Sequence, residues 1–460
     1  MTLPKSLFKL LLLGGILCGS MAAVVCAEEP TTIKLTLHPQ AIEDHGPLRP
    51  LLPEAPDLKP GNAAVVLLRM TWEETAFMAN EFPKLRQRPP LPPDDPRLAD
   101  FPFDRFASQM RRAAYMKDAD WTYPFDIEPL ESMLLPDVQG LRDFIGRGMP
   151  VWIHQRIVSG DLDAAREGIL TMLACSRHVA RTPILTCHLV ATATAYAALD
   201  RVEELISHPG CPNLRIPLAL LPDTIGDTQA AVQWEKRMSE RSLLSQRVST
   251  PASGDAAGWA AVMDGYLQQE ADPPGKEGWI VSNLKTRRLV LGAEARAAVA
   301  RGAFATPDGL FSDDELAMSY LLAKSDRAHR RAEAACQLAP PDAIKALIAM
   351  EQDANAVSPR ETSPWPSFLR MYLAAAGFGR RVTMLEVVEA LRDAAARNGG
   401  RFPAALADLP AQVAPDPFTE RPFIYEPTAD GRSARLSTTA IPEIDDAYLV
   451  RIYELTLATE

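Results

Sequence analysis

"GDLDAAREGILTMLACSRHVARTPILTCHLVATATAYAALDRVEELISHPGCP" runs from Gly160 to Pro212, and its spacing decides the fold. Leu162, Ala165, Ile169, Met172 and Val179 recur at intervals that put them on one face of an α-helix. Asp161 stands where an N-cap belongs. Arg181-Thr182-Pro183 makes a turn, and Leu185, Leu189, Ala193, Tyr196, Leu199, Val202 and Ile206 then mark a second helix. Pro209 and Gly210 stop it. Two helices on so short a connection form an antiparallel hairpin. The unit is tetratricopeptide-like, yet its pattern does not return at the roughly 34-residue period of such arrays. The expectation is an irregular helical domain.

Towards the N-terminus, Asn62 is placed to cap a helix carrying Val65, Leu68, Trp72 and Ala76 on one face. "DRFASQMRRAAYMKD" reads as a second helix and "VQGLRDFIGRGM" as a third, ended or kinked by Pro150. Towards the C-terminus the pattern predicts helices over 226–247, 255–270, 278–300 and 313–337. The last opens on an S-x-x-E capping box, Ser312 with Glu315, with acids Asp313 and Asp314 first and Arg327, Arg330 and Arg331 near the end. The chain loosens at "NAVSPRETSPWP". Ser363 and Pro364 then open a long helix reaching about Asn398, with "GFG" as a candidate break and Gly399-Gly400 as the stop. "AALADLP" reads as a short helix. "PFIYEP" and "SARLSTT" flank Ala429-Asp430-Gly431-Arg432 as a β-hairpin, and "AYLVRIYELTLA" supplies a third strand.

The fold class is therefore mainly α: an irregular helical-hairpin domain followed by a small α+β module with a short antiparallel sheet. The reading divides the chain into a signal peptide at 1–27, a proline-rich lead-in at 28–60, a helical domain at 61–357 and the long helix with its sheet at 358–460.

Net charge is −11, and residues 1–27 hold only Lys5 and Lys9 as charges, so their removal would take it to −13. A chain this acidic lacks the basic footprint that nucleic acid requires. "MTLPKSLFK", the apolar run after it and the small residues of Val25-Cys26-Ala27 have the pattern of an export signal cleaved before Glu28. The expected location is the periplasmic or cell-envelope space. If retained, the same segment would serve as an anchor, and after cleavage no membrane span is expected. Cys175, Cys187, Cys211 and Cys336 then remain, and their spacing does not choose a pairing.

"LLPEAPDLKPGNAAVVLLRM", the hairpin sequence and "RNGGRFPAALADLP…DPFTERPFIYEP" resemble a group of uncharacterised exported helical proteins of planctomycete bacteria. That resemblance implies no known activity and carries no catalytic residues. The C-terminal module is separately similar to the globular heads of pseudopilins, in which a long helix leads into a short sheet. Arg370 in the helix and the near-isolated Asp445-Asp446 depart from that pattern.

The chain has no G-x-S-x-G, H-E-x-x-H, phosphate-cradling or dinucleotide-binding motif. No cofactor is expected. Cys175, His178, Cys187 and His188 are the metal-like candidates, since two thiols and two imidazoles lie near the hairpin tip. Against them, Cys187 and His188 are adjacent and point about 100° apart on a helix. His154 is a candidate general base with no nucleophile in view. Glu203-Glu204 could pair as carboxylates, although a solvated helix face suits them better. Lys285, Arg287 and Arg288, and Arg380 with Arg381, could hold an anion or serve ordinary surface roles. These features favour an exported, non-enzymatic protein binding a protein or cell-envelope partner through a helical groove. The alternatives are an envelope hydrolase with an unfamiliar site and a pseudopilin-like secretion component.

Overall fold

The computed structural model describes residues 30–42, 50–85, 91–121, 138–243, 250–270, 280–305, 312–357, 368–410, 412–441, 444 and 450–458. The export segment, Ser363, Pro364 and Asp445-Asp446 lie outside the described residues. Contacts divide the chain into two units. The larger comprises Leu17–Thr228, Ala339–Ile344 and Arg370–Glu460; the smaller includes Gln229–Leu338 and Lys345–Leu369. This division does not follow the linear boundary at 357, because the long C-terminal helix packs within the unit that holds the hairpin.

In the larger unit, β1 (Thr31–Leu37) alternates Ile33, Leu35 and Leu37 with exposed Thr32, Lys34 and Thr36. β2 (Lys59–Asn62) pairs in parallel with β3 (Met116–Asp118). Asn62 caps α1 (Ala63–Glu73), its side-chain oxygen accepting from the Ala64 amide at 3.0 Å. The buried face of α1 carries Ala64, Leu67, Leu68 and Thr71, while Val65 and Trp72 are exposed. The face is rotated from the one expected: Leu67 and Met70 are enclosed with Ala63 and Ala64, and Val65 and Trp72 face outward. α2 (Thr75–Asn80), α3 (Phe82–Leu85) and α4 (Asp104–Ala114) follow.

α5 (Val138–Asp143) continues through a wide π turn at Phe144–Gly148 into α6 (Met149–Val158). Pro150 therefore neither ends the helix nor stands alone as a kink. It sits in the first turn of α6, where a missing amide costs little. Phenylalanine rings knit these elements together: Phe77 and Phe106 lie 4.4 Å apart between centroids, and Phe82 meets Phe144 edge-on at 4.9 Å. Such pairs add about 0.5–1.5 kcal/mol each beyond area burial.

α7 (Leu162–Ala180) and α8 (Leu185–Ile206) form the expected hairpin. Asp161 caps α7 by accepting from the Ala164 amide at 3.2 Å. Ser176 and Thr194 share a buried hydrogen bond of 2.7 Å across the hairpin. The short α9 (Arg215–Ala219) follows.

The smaller unit holds α10 (Thr228–Leu243) from Gln229 onward, α11 (Ala256–Glu270), α12 (Ile280–Ala300) and α13 (Asp313–Ala335). Trp259, Val262, Met263 and Tyr266 of α11 pack on Met318 and Leu321 of α13. The Ser312 hydroxyl accepts from the Glu315 amide at 3.1 Å, but the Glu315 carboxylate turns to the Gly254 amide at 3.2 Å. Only half of the capping box forms, because a loop amide competes for the carboxylate. α14 (Pro340–Val357) was not foreseen. Its paired prolines, Pro340 and Pro341, occupy the first helical positions, which need no amide.

α15 (Phe368–Arg397) runs unbroken through "GFG". A Cβ at Gly377 would stand 2.5 Å from the Tyr196 hydroxyl, and one at Gly379 would stand 2.6 Å from the Asp223 carbonyl. These glycines form a notch for close packing, not a break. The Gly400 amide closes the helix end on the Ala395 carbonyl at 2.9 Å. "AALADLP" contributes a single 3-10 turn at Leu406–Asp408 in place of a helix. The Asp408 carboxylate draws in the Ala405 amide there at 3.0 Å.

β4 (Ile424–Pro427), β5 (Ser433–Ser437) and β6 (Arg451–Leu457) form the foreseen antiparallel set. β1 joins it in parallel with β6, giving the order β1-β6-β5-β4. The sheet is thus mixed and four-stranded. Its extra strand comes from the segment read as a lead-in.

Candidate functional site

An open groove of about 900 Å³ lies in the larger unit between β2, α4, α6 and the start of α7. Its position follows from Gly168. A Cβ there would stand 2.6 Å from Ile153 and 2.9 Å from the Trp152 ring, so glycine lets α7 press onto α6 and seats the indole. Trp152 donates its ring N–H to Asp104 at 2.7 Å, and Arg156 donates to the same carboxylate at 2.7 Å. The Arg156 guanidinium also lies 5.1 Å over the Trp152 ring. Across the groove the Tyr115 hydroxyl donates to Glu167 at 3.2 Å. Lys59, Arg111 and Arg112 complete the basic part of the lining, and Asp57, Asp161 and Asp163 the acidic part.

The metal-like set is not gathered. Cys175 is buried and donates to the Met110 carbonyl at 3.4 Å; burial pushes its thiol up. His178 is buried near the end of α4, and burial, helped by Arg181, pushes its imidazole down to about 4. Cys187 is pushed up to about 12 by burial, against a hydrogen bond with Thr182. His188 turns elsewhere, its Nε2 3.4 Å from the Thr228 hydroxyl, and burial lowers it to about 4. Among the described residues no three His, Cys, Asp or Glu side chains are placed to share an ion. Among the described residues Cys175, Cys187, Cys211 and Cys336 form no disulfide with one another.

The remaining candidates separate. His154 Nδ1 meets Glu204, which also meets Arg201, and all three are half-buried. Glu203 is not on a solvated face. It is buried and accepts from Arg381 at 3.0 Å, Arg451 at 2.7 Å and the Tyr453 hydroxyl. Arg381 reaches Asp200 at 2.5 Å as well. Burial alone would raise the Asp200 carboxyl, but the Arg381 charge holds it below its usual range. Arg380 grips Asp416 through two hydrogen bonds, of 2.9 and 2.5 Å. The basic pair Arg380-Arg381 is thus interior, because α15 is surrounded and each guanidinium meets a carboxylate. In the smaller unit Arg288 is committed to Asp264 and Asp314. The side chains of Lys285 and Arg287 lie outside the described ones.

Sequence reasoning did not find the groove. The Arg111-Arg112 doublet was visible within its helix, but nothing in the order of residues ties it to Trp152 or Lys59. Compared with known proteins, the chain matches no family model, no curated protein and no solved structure. Among the described residues no helix is long and apolar enough to cross a membrane.

Proposed function

We propose that this is an exported, non-enzymatic protein that binds a protein partner of the cell envelope through the α4–α6–α7 groove. The observation that carries the reading is the groove itself: an open cleft between β2, α4, α6 and the start of α7, with an oriented indole and charges of both signs in its lining. The test is a photo-crosslinking side chain placed at Ser108 in the groove and, as control, at Ile424 on β4. A discrete adduct at Ser108, absent at Ile424 and lost on Arg111→Glu, supports the reading; equal labelling at both positions overturns it. Mapping the native N-terminus tests export, with a start at Glu28 expected.

The His154–Glu204 contact favours a second reading, an envelope hydrolase, because a carboxylate on Nδ1 orients the other ring nitrogen for proton transfer. His154 is not among the groove's lining residues. Loss of an ester- or peptide-hydrolysing activity in His154→Ala, with folding intact, would move the assignment there.

A further inference from the structure

The four-stranded sheet has two outer edges, and they differ. On β4, Thr428 donates to the Ser433 carbonyl of β5 at 2.8 Å, and Glu426 stands opposite Arg435. Bonding direction alternates along a strand, so Pro427 faces outward, and proline has no amide to offer. That edge is blunted. The edge on β1 is open. Thr31 donates to the Val450 carbonyl at 3.1 Å, and the Leu37 carbonyl accepts from Ala458 at 2.9 Å. Thr31, Ile33, Leu35 and Leu37 therefore turn their backbone groups to β6. The amides and carbonyls of Thr32, Lys34 and Thr36 point away from the sheet, and all three residues are exposed. Among the described residues nothing hydrogen-bonds these outward groups.

Side chains say what fits there. On the exposed face Lys34 stands opposite Glu454, Glu454 opposite Arg435, and Arg435 opposite Glu426. Lys34 and Glu454 lie 3.7 Å apart, and Arg435 and Glu426 4.0 Å apart. The row alternates in sign across the sheet and reaches the open edge on a cation. A second copy could lay its β1 antiparallel to this one. The register that bonds Thr32 to Thr36 would set Lys34 against Lys34, and like charges directly opposite are destabilising. On the core face Ile33 is half-buried, whereas Leu35 and Leu37 are enclosed. An added strand would cover Ile33 with an apolar side chain.

We propose that β1 accepts a fifth strand from a partner protein: an extended segment with apolar residues beside Ile33 and Leu35 and a carboxylate beside Lys34. Main-chain hydrogen bonds supply the affinity of such an addition, and alternate side chains its selectivity. Lys34 both discourages a second copy and selects the partner. The groove's lining includes no residue of this sheet, so the two surfaces stand or fall separately.

The probe is a short fluorescein-labelled peptide, valine alternating with threonine around one central glutamate, read by anisotropy on the full chain. Counterparts carry glutamine or lysine at the centre, or N-methyl groups on one or the other alternate set of backbone amides. Methylating one set should abolish binding, and methylating the other should leave it. Thr36→Pro removes one outward amide and no bond to β6, and should weaken the glutamate peptide about threefold to tenfold. Lys34→Glu should weaken it about threefold and strengthen the lysine peptide by a similar factor, while Lys34→Arg should bind as the native chain does. Absence of glutamate-peptide binding, equal binding of the three central residues, or indifference to both methylated sets would overturn the proposal. So would a dimer of the chain, seen by light scattering and lost in Thr36→Pro, because it would put a second copy on this edge.

Discussion

The larger unit contains fully buried arginine–carboxylate pairs, and among the described residues those of the smaller unit lie nearer the surface. Arg381 and Glu203 are 5% and 6% exposed, and Arg392 and Glu389 are fully enclosed. In the smaller unit Arg288 and Asp264 are 36% and 57% exposed, and Arg296 and Asp313 are 51% and 76% exposed. All are arginine–carboxylate pairs involving helices, so the sequence presents them alike. Their energetics differ because a buried charge has lost its water and depends on its partners. Arg392 shows how complete such satisfaction must be: besides Glu389 it donates to the carbonyls of His38 and Cys211, at 3.1 and 3.0 Å.

The sharpest way to break this comparison is Arg381→Met. It strips the Glu203–Asp200 pair of its shared cation inside the larger unit and should cost about 3–5 kcal/mol in urea unfolding. A loss below about 1 kcal/mol would make the buried network no different from a surface pair. Adding Glu203→Met should not recover the loss, since Arg451 and the Tyr453 hydroxyl would then lose their shared acceptor.

Acid is the next probe. His178 and His188 are neutral and buried, with values near 4 against an ordinary 6.5. The unfolded chain binds more protons in that interval, so stability is present above pH about 6.5 and is lost as pH falls towards 4. Each site contributes on the order of 3 kcal/mol. Replacing both by glutamine should flatten the acid limb of a pH-dependent unfolding series.

Gly379→Ala tests packing without charge. Its Cβ would meet the Asp223 carbonyl, a backbone atom that cannot rotate away, and about 1–3 kcal/mol should be lost. Glu386 gives a gentler, opposite pH signal. Burial, with Asp223 adding to it and Arg215 opposing, raises it to about 7. Stability from this site is present below pH about 4.5 and is lost as pH rises through 7, and Glu386→Gln should remove that slope. Smallest is Arg288→Met in the smaller unit, expected to cost at most about 1 kcal/mol and nothing measurable in high salt.

Much of the architecture was legible along the chain. Helix periodicity, the Asn62 and Asp161 caps, the Gly399-Gly400 stop and the Asp430-Gly431 hairpin are local signals, set by residues within a few positions of one another. The strand "TTIKLTL" lies in the segment read as a proline-rich lead-in, and its partner is β6 at the other end of the chain. Local order cannot name a partner so distant.

By itself, then, the sequence determined the mainly helical class, the hairpin, the bounds of several long helices and the acidity that argues against nucleic acid. These depend on backbone propensity, capping and the spacing of apolar residues, which act over one or two turns. Only the tertiary structure decided that Glu203, Arg380 and Arg381 are interior, that "GFG" is a packing notch, and that Lys59, Arg111, Arg112 and Trp152 line one cleft. The reason is physical: burial and charge pairing depend on which surfaces meet, and those surfaces come from segments far apart in the chain.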